Sequence, residues 1–506
     1  MTILPAYEAF AAAYEAGTPQ VVYTRLIDDL ETPVSAYLKI GHGRPYAFLF
    51  ESVEGGAWRG RYSIITMEPD LIWRCRGDAA EVCEGDNLQT ATYRPDGPAL
   101  ASLKNLIRRS RLTLPDEVPP MAAGVFGALG YDMVRLAEQL PNQNPDRMGG
   151  LPDAIMTRPS IVAVFDSIAQ EIVLVTAVRP SDVPARQAYD AAVARLERIS
   201  GELREPLGPR ADPEPWTPEP MQTPVSRADY AVIVERAKDY IRAGDIFQVV
   251  PSHRMRTRFE LHTFAFYRAL RRLNPSPFMF YLNFGDFQLS GSSPEIMVRL
   301  RDGKITIRPI AGTRPRGKTP AEDLRLEQEL LADPKERAEH LMLLDLGRND
   351  VGRVAGAAPS GRNAARPPAV RVTESFKIER YSHVMHIVSN VEGDAPKDVD
   401  PVDVLMAALP AGTLSGAPKV RAMEIIDELE TEKRGIAYAG AAGYISSDGA
   451  VDTCILLRTA MFKDGMMYVQ AGGGVVADSD PDAEYDETLH KSRALFRAAE
   501  EAWRFA

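Results

Sequence analysis

Two helical segments of the sequence each place a pair of carboxylates on one face. Glu336 and Glu339 are three residues apart, and Glu484 and Glu487 repeat that spacing, with Lys491 one turn further on. Residues three or four apart share one side of a helix. Carboxylates from two helices could together hold Mg²⁺ that also takes oxygens from an anionic substrate. Spacing alone favours the plainer interpretation, in which both are solvated helix faces with ordinary ion pairs.

Residues 308–317, RPIAGTRPRG, combine turn-forming residues with groups that bind anions. The prolines restrict the backbone, and the glycines allow sharp turns. Thr313 supplies a hydroxyl, and Arg314 and Arg316 supply guanidinium groups. The pattern predicts a loop that brings backbone N–H groups and cations to an anionic ligand. An ordinary basic surface loop fits the same residues equally well.

Two features near the C-terminus could bind a carboxylate. Gly472, Gly473 and Gly474 follow a strand-like run, so their backbone N–H groups could face an anion, but the segment lacks the Gly-Lys-Ser/Thr of a P-loop. A tight turn is the alternative. Arg458 stands in the apolar run 454–460, where a charge should be paired. Its partner could be a bound carboxylate or a structural acid.

A histidine and a second loop complete the candidates. His386 lies in a strand-like apolar stretch, where it is either a satisfied core histidine or a proton shuttle, because its unperturbed pKa lies near neutrality. Residues 411–419, AGTLSGAPK, resemble a loop that leads into a helix N-terminus, another potential anion site.

The composition excludes some classes of function. The 506 residues include 59 Lys and Arg against 70 Asp and Glu, a net charge of −11, which argues against a general nucleic-acid binder. Three cysteines, none in a C-x-x-C pair, argue against a zinc or disulfide framework and fit a reducing compartment. There is no signal-peptide pattern, and no apolar run approaches the ~18 residues of a membrane span. We therefore expect a soluble cytoplasmic protein.

The elements that must position these residues occur in clusters along the chain. Residues 1–204 mix strand-like and helical runs, residues 205–225 form a proline-rich connector, and residues 226–506 hold the candidate chemistry. Helices near the candidate residues are predicted at 320–332, 335–346, 402–409, 417–429 and 483–505. Strands are predicted at 438–446, 451–462 and 466–471. Without regular βαβ alternation, the pattern predicts an α+β fold with largely antiparallel sheets.

Several motifs in the second half resemble those of the chorismate-utilising enzyme family, in the family's order. They are residues 309–317, 339–350, 381–389, 412–422, 452–458, 470–476 and the pair 486–487. Their number and order make the resemblance specific. The first half matches more loosely, at residues 51–52 and 126–132. The resemblance implies large antiparallel β-sheets packed as a sandwich with helices on the outside.

The resemblance also implies a substrate and a metal ion. Glu339 and Glu487 would hold Mg²⁺, which would grip the ring carboxylate of chorismate. The enolpyruvyl carboxylate would bind Tyr438, Arg458 and the amides of the glycine run. The chorismate site would be lined by Gly312, Thr313, Tyr438, Arg458, Gly472, Gly473, Gly474 and Lys491.

Catalytic roles follow from the same resemblance. Glu295 would protonate the departing 4-hydroxyl, His386 would assist proton removal from C2, and Thr413 would orient the substrate. Gln248 stands where members that add water have a lysine base. Ala311 stands where members that make 4-amino-4-deoxychorismate have a lysine nucleophile. The resemblance therefore implies addition of ammonia at C2 and elimination of pyruvate, which gives anthranilate, the first step of tryptophan biosynthesis.

Three alternatives stay open. Ala311 argues against an enzyme that makes aminodeoxychorismate, and Gln248 argues against one that makes isochorismate or salicylate. The third alternative is a non-catalytic tryptophan-binding module with a degenerate pocket. Retention of Glu339, Glu487 and His386 argues against it.

The resemblance finally implies an inhibitor and a partner. The segments that would bind tryptophan as a feedback inhibitor contain Glu51, Ser52, Pro277, Phe278 and Met279, with Phe278 in place of a frequent tyrosine. A ligand bound away from the chemistry would act through its different affinities for two states. No segment resembles a Cys/His/Glu glutaminase, so we expect ammonia from a separate glutamine amidotransferase subunit in a hetero-oligomer.

Overall fold

The computed structural model describes residues 1–53, 60–85, 88, 92–208, 213–355, 369–381 and 384–506. The helices in these ranges are α1 (Tyr7–Glu15), α2 (Pro33–Ile40), α3 (Ala99–Ser110), α4 (Ala185–Arg204), α5 (Arg227–Ala243), α6 (Thr263–Leu273), α7 (Pro320–Ala332), α8 (Pro334–Gly352), α9 (Pro401–Ala408), α10 (Lys419–Leu429) and α11 (Pro481–Glu501). Within the same ranges, no helix is long and apolar enough to cross a membrane.

The strands of the first half are β1 (Gln20–Ile27), β2 (Phe48–Glu51), β3 (Tyr62–Arg76), β4 (Ala79–Glu84), β5 (Arg94–Pro98), β6 (Gly124–Leu129), β7 (Ala154–Asp166) and β8 (Glu171–Val178). Those of the second half are β9 (Gln248–Val249), β10 (Ser252–Arg258), β11 (Phe278–Asn283), β12 (Gln288–Ser293), β13 (Ile296–Arg301), β14 (Lys304–Ile307), β15 (Ile310–Pro315), β16 (Val370–Arg380), β17 (Val384–Asp394), β18 (Gly416–Ala417), β19 (Ala441–Ser446), β20 (Val451–Ile455), β21 (Thr459–Lys463) and β22 (Met466–Gly472).

The pairings between these strands are antiparallel. One branch runs through β10, β22, β21, β12, β11 and β2 to β3. The other runs through β17, β14, β13, β20, β19 and β6 to β7, and β3 pairs with β7 to join them. The predicted α+β fold with large antiparallel sheets is confirmed.

The apolar core lies in three layers. The central layer is formed mainly by strand residues, such as Val164, Phe280 and Tyr444, so sheet packs on sheet there. On one side α3 and α9 cover the sheet, and on the other α4, α6 and α11 do so. This arrangement is the sandwich with outer helices that the resemblance implies.

Strands from both predicted parts of the chain share these sheets. β2 pairs with β11, and β6 pairs with β19. In the connector, residues 205–208 and 213–225 form neither helix nor strand, and residues 209–212 lie outside the described ranges. The division into 1–204, 205–225 and 226–506 stays a prediction.

The structure corrects two expectations about elements near the candidate site. Residues 308–317 are not simply a loop, because β15 pairs with β17 there and a bulge at Gly312 interrupts the register. The predicted strand 451–462 is broken into β20 and β21, with Arg458 at φ 46° between them. The break is required because β20 pairs with β13 and β19, whereas β21 pairs with β12 and β22.

Candidate active site

The side chain of Gln248 connects three parts of the candidate site. Gln248 lies on β9, and its Nε2 donates to Glu339 Oε1 on α8 at 3.4 Å. The same nitrogen lies 2.6 Å from the position that a Cβ on Gly474 would occupy. Any larger residue at 474 would therefore displace the Gln248 amide, so the end of the glycine run allows this close approach.

The facing helices α8 and α11 bring four carboxylates towards one region. Burial raises the pKa of Glu339, and the charges of Glu336 and, to a lesser extent, Glu487 raise it further. Burial also raises the pKa of Glu484, again with a contribution from Glu487. Burial and neighbouring carboxylates therefore disfavour the charged forms of Glu339 and Glu484, although Lys491 opposes the rise in both pKa values.

Glu484 belongs to the second predicted carboxylate pair, although the resemblance did not assign it to the metal. Its Oε1 accepts from Ser479 Oγ at 2.6 Å, but its buried Oε2 accepts no hydrogen bond from the described part of the chain. That atom lies 2.6 Å from the position of a Cβ on Gly473. The spacing of three residues before Glu487 was the sequence signal that placed Glu484 among the candidate carboxylates.

The positive charges near this cluster are largely engaged by protein groups. Arg314 pairs with Asp333 at 2.8 Å and with Glu336 at 3.0 Å, and Arg316 pairs with Asp323 at 2.8 Å. The expectation that these arginines would present cations to a ligand is therefore wrong, because carboxylates of α7, α8 and the α8 cap neutralise them. Lys491 pairs with Glu487 at 2.7 Å and donates to Gly472 O at 2.9 Å.

We tested whether the carboxylates fit a magnesium ion. In the ranges that the structure describes, no group of three or more His, Cys, Asp or Glu side chains is arranged to hold a metal. Mg²⁺ in proteins is often bound by one or two carboxylates, with water and substrate oxygens completing its shell. The buried carboxylate of Glu339, which forms no ion pair within the described residues, and the orphaned Glu484 Oε2 fit an ion of that kind. Glu339 and Glu487 thus fit a site that the substrate would complete, and not a closed metal cage.

His386 is held in one tautomer by the neighbouring strand. Thr313 and His386 are opposite each other on β15 and β17. His386 Nδ1 donates to Gly312 O at 2.9 Å, and Thr313 Oγ1 lies 3.1 Å from the same nitrogen. A carbonyl only accepts, so the proton is on Nδ1 and the lone pair is on Nε2. Burial lowers the pKa of His386, which keeps it neutral and able to take a proton.

Gly312 is required at the bulge beside His386. Its φ is 68°, a left-handed conformation that glycine adopts without strain. A Cβ there would also lie 3.0 Å from Glu336 Oε2 and 3.1 Å from Leu330 Cδ1. The bulge therefore brings the backbone close to the carboxylate helix.

The sequence left open whether Arg458 pairs with a bound carboxylate or with a structural acid. Burial lowers the pKa of its guanidinium, yet no acid among the described residues forms an ion pair with it. Its carbonyl accepts from Ser292 N at 3.2 Å, which anchors its backbone to β12. A shielded, unpaired guanidinium favours a bound carboxylate over a structural ion pair.

Glu295 has the properties of a buried acid. The side chain lies in a residue that is only 6% exposed, and Thr413 Oγ1 lies 3.4 and 3.3 Å from its two oxygens. Burial raises the pKa of Glu295 to about 8, although the Thr413 hydroxyl opposes the shift. The carboxyl is thus protonated near neutral pH and can donate a proton.

The glycine run is partly occupied by protein contacts. Gly473 N donates to Pro251 O at 3.3 Å, so this amide is not simply open to a ligand. The hydroxyl of Tyr438 lies 2.9 Å from the position of a Cβ on Gly472, and burial raises its pKa. Tyr438 and the start of the glycine run are therefore neighbours, as predicted for residues of one site.

A buried ion pair that sequence reasoning missed supports this region. Arg434 pairs with Glu430 at 2.6 Å, and both side chains are almost fully buried. Arg434 also donates to Leu414 O and Val250 O at 2.7 Å each, and it lies over the ring of Tyr438. It connects segments that carry Thr413, Gln248 and Tyr438. No sequence signal separates this arginine from an ordinary surface cation.

The predicted tryptophan residues also come together, away from the carboxylates. Glu51 on β2 pairs in register with Met279 on β11, and Val53 N donates to Ser276 O at 3.2 Å. Glu51 Oε2 and Oε1 accept from Arg271 at 2.8 and 2.9 Å. Ser52, Pro277 and Phe278 are half-buried beside these contacts. The sequence did not indicate Arg271, which faces Glu51 from α6.

Comparisons with known proteins identify a family that matches most of the chain. A model described as chorismate binding enzyme matches residues 64–497. A protein from Cereibacter sphaeroides named anthranilate synthase component 1 is 54% identical over 506 residues, covering 99% of each chain. One of the same name from Pseudomonas aeruginosa is 46% identical over 476 residues, covering 93% of each.

Solved structures show the same fold. The crystal structure of anthranilate synthase component I from Streptococcus pneumoniae superposes with a TM-score of 0.74 at 33% identity, over 93% of this chain and 99% of that one. The menaquinone-specific isochorismate synthase from Escherichia coli has a TM-score of 0.69 at 19% identity, over 98% of both chains, and supports the fold alone.

Proposed function

The chain belongs to the family of chorismate binding enzymes, and we propose that it is the chorismate-converting component of an anthranilate synthase. The near full-length identity to relatives of that name supports this proposal. The observation that carries it is the uncharged Gln248 amide beside the Glu339 carboxylate. A base that activates water is replaced there by a group that can only position a nucleophile.

Two groups of opposite charge would bind chorismate. Glu339 and Glu487 would hold Mg²⁺, which when bound would neutralise the ring carboxylate and draw electrons from it. Arg458 and Tyr438 would receive the enolpyruvyl carboxylate. Thr313, Gly312, Lys491 and the glycine run would close the pocket around the ring.

Glu295 acts first in the proposed reaction. Ammonia forms a bond to C2, both conjugated ring double bonds shift by one position, and the C4–O bond breaks as Glu295 gives its proton to the departing hydroxyl. That hydroxyl leaves as water, with Thr413 bonded to the resulting Glu295 carboxylate. The ammonium formed at C2 loses a proton to solvent.

His386 acts second. Its Nε2 takes the proton from C2 while the enolpyruvyl C–O bond breaks. The departing group takes up a proton to become pyruvate, and the ring becomes aromatic. Because Nδ1 is fixed on Gly312 O, the lone pair of His386 stays directed away from the strand.

The nucleophile decides between anthranilate and the related products aminodeoxychorismate and isochorismate. Ala311, opposite Ile387 on β17, has no amine with which to attack the ring. Gln248 is not a base, so water is poorly activated, whereas ammonia needs little activation. Aminodeoxychorismate and isochorismate are therefore disfavoured as products.

The proposal also includes a feedback inhibitor and a partner subunit. The site around Glu51, Ser52 and Met279 would bind tryptophan as a feedback inhibitor. Relatives named component 1 imply a second component, which would be a glutamine amidotransferase that delivers ammonia.

The test is a direct assay. The purified chain is incubated with chorismate, Mg²⁺ and an ammonium salt at about pH 8, and anthranilate fluorescence is followed. We expect anthranilate without any partner. No anthranilate, or formation of isochorismate or aminodeoxychorismate instead, would overturn the proposal.

A further inference from the structure

A small cavity lies between the buried acid Glu295 and a second buried carboxylate, Asp350 on α8. Its volume is about 20 Å³. Among its lining residues, Glu295, Thr413 and Asp350 are the ones with polar side chains, and the others are apolar. The cavity therefore has polar groups at Glu295 and at Asp350, with an apolar wall around them.

The cavity has the properties of a site for one water molecule. A buried water needs roughly 10–15 Å³ of accessible space and two to four polar partners. The two carboxyl groups and the Thr413 hydroxyl line the cavity and supply polar groups of the kind that such a water needs.

Asp350 is itself paired with a buried lysine. Lys419, at the start of α10, lies 2.6 Å from Asp350 Oδ1, and the residues are 8% and 5% exposed. Asp350 Oδ2 accepts no hydrogen bond from any residue in the described ranges. Burial raises the pKa of Asp350 and lowers the pKa of Lys419, which brings their proton affinities closer.

The lysine connects the cavity to the protein surface. Its electrostatic neighbours besides Asp350 are Arg353 and Glu138. These two form an ion pair at 2.8 Å and are partly exposed. Partly exposed charges thus act on Lys419, which contacts Asp350 at the edge of the cavity beside Glu295.

We propose that Asp350 and Lys419 return a proton to Glu295 after each turnover through one water molecule in this cavity. The inference rests on the proposed function, in which Glu295 loses its proton to the departing hydroxyl. Lys419 gives a proton to Asp350, Asp350 gives one to the water, and the water gives one of its own to the Glu295 carboxylate. Lys419 then regains a proton from solvent near Glu138, so one proton moves inward and no electrons are exchanged.

The other polar neighbours of the Glu295 carboxyl cannot replace this route. Within the described ranges, the groups that bond to this carboxyl are the Thr413 hydroxyl and the Ile310 N–H, and neither is acidic near neutral pH. When chorismate or product fills the pocket, direct contact between Glu295 and solvent is blocked on that side. Asp350 and Lys419 are positioning and relay residues, since neither would touch the substrate.

The first variant is Asp350→Asn, compared by rapid quench and by steady-state assay. We expect the first turnover, which uses the resident Glu295 proton, to keep its rate, while kcat falls about tenfold or more. The matched control is Asp427→Asn, because Asp427 is also 5% exposed and pairs with Arg135 at 2.6 Å away from the cavity. In the Asp427→Asn control, the rate of the first turnover and kcat should change by the same factor.

The second variant, Gly347→Ala, fills the cavity without touching the ion pair. Its Cβ would lie 3.5 Å from Ile307 Cγ2 and 3.9 Å from Pro309 Cδ, two residues of the cavity wall, at ordinary contact distances. Alanine also favours the helix, so the melting temperature should hold or rise while kcat falls.

The outcomes separate the two proposals. If the wild-type chain makes no anthranilate, the proposed function is wrong. If the wild type is active and Asp350→Asn slows the first turnover as much as kcat, Asp350 has only a structural role. If neither variant lowers kcat, Glu295 is recharged by another route and the relay is refuted.

Discussion

Gln248 Nε2 lies 3.4 Å from Glu339 Oε1, while Gln248 Oε1 is buried and accepts no hydrogen bond within the described residues. A buried acceptor without a donor is costly unless a ligand supplies one. Ammonia has three N–H donors, and holding one of them leaves its lone pair free to attack. The amide thus has the chemistry to hold the nucleophile beside the carboxylate that would bind the metal.

Replacing Gln248 should therefore affect ammonia more than chorismate. For Gln248→Leu we expect the KM for ammonium to rise about tenfold, because a hydrogen bond worth about 1.4 kcal/mol is lost. The KM for chorismate should change little. Anthranilate fluorescence under separate titration of the two substrates measures both. Gln288→Leu is the control, because the side chain of Gln288 donates to Asn283 Oδ1 and Gly285 O within its own hairpin. Equal changes in both KM values would contradict the assignment.

The pH dependence of kcat should report Glu295. Its pKa of about 8 means that the acid form is present below that pH and is lost above it, so kcat should fall as the pH rises through about 8. The Thr413 hydroxyl favours the carboxylate, so Thr413→Val should raise the pKa and move the alkaline limb to higher pH. Rates with saturating chorismate across this range provide the test. If the alkaline limb of kcat moved to lower pH in Thr413→Val, a group other than Glu295 would control it.

The metal site should respond to loss of a single carboxylate. For Glu487→Gln we expect the Mg²⁺ concentration for half-maximal turnover to rise by at least roughly tenfold to hundredfold. Losing a residue that only hydrogen-bonds to a metal ligand already lowers metal affinity by that factor, and Glu487 would be a ligand itself. The ion pair with Lys491 is half-exposed and contributes about 1 kcal/mol or less, so the melting temperature should hardly change. Glu500→Gln, exposed on the same helix, is the control. Unchanged Mg²⁺ dependence would remove Glu487 from the site.

Inhibition by tryptophan should depend on Glu51. Its carboxylate is fixed by Arg271 and by the hydroxyl of Tyr267, at the junction of β2 and β11. For Glu51→Gln we expect the inhibitory concentration of tryptophan to rise about tenfold or more through loss of a charge-assisted contact, with uninhibited kcat retained. Rates of anthranilate formation against tryptophan concentration measure it. Normal inhibition in this variant would place the effector elsewhere.

The buried pair Arg434 and Glu430 should show strong coupling. Either Arg434→Met or Glu430→Gln leaves the other charge buried, which should lower the free energy of unfolding by about 3–5 kcal/mol. The double variant should lose much less free energy of unfolding than the two single variants lose in total. Urea denaturation of the four proteins gives the coupling energy. Additive losses would show that the two charges do not depend on each other.

Several elements that carry the site were predictable because their signals are local. α7 begins at Pro320 as predicted, since Thr319 accepts from Glu322 N and caps the helix. α8 begins at Pro334 for the same reason, with Asp333 as the cap, although the helix continues beyond the predicted end. The two carboxylate pairs, the acid Glu295 and His386 were identified from residue type and motif order.

Tertiary structure decided which of these groups are free to react. Arg314 and Arg316 looked like ligand-binding cations, but carboxylates on α7, α8 and its cap neutralise them. Arg458, at the break between β20 and β21, forms no ion pair with any acid that the structure describes. His386 obtains its tautomer from Gly312, which is 74 residues earlier in the chain. Capping and periodicity act between near neighbours, so a sequence displays them. The protonation and pairing of a side chain depend on strand register and helix packing between distant segments, and only the folded chain sets those.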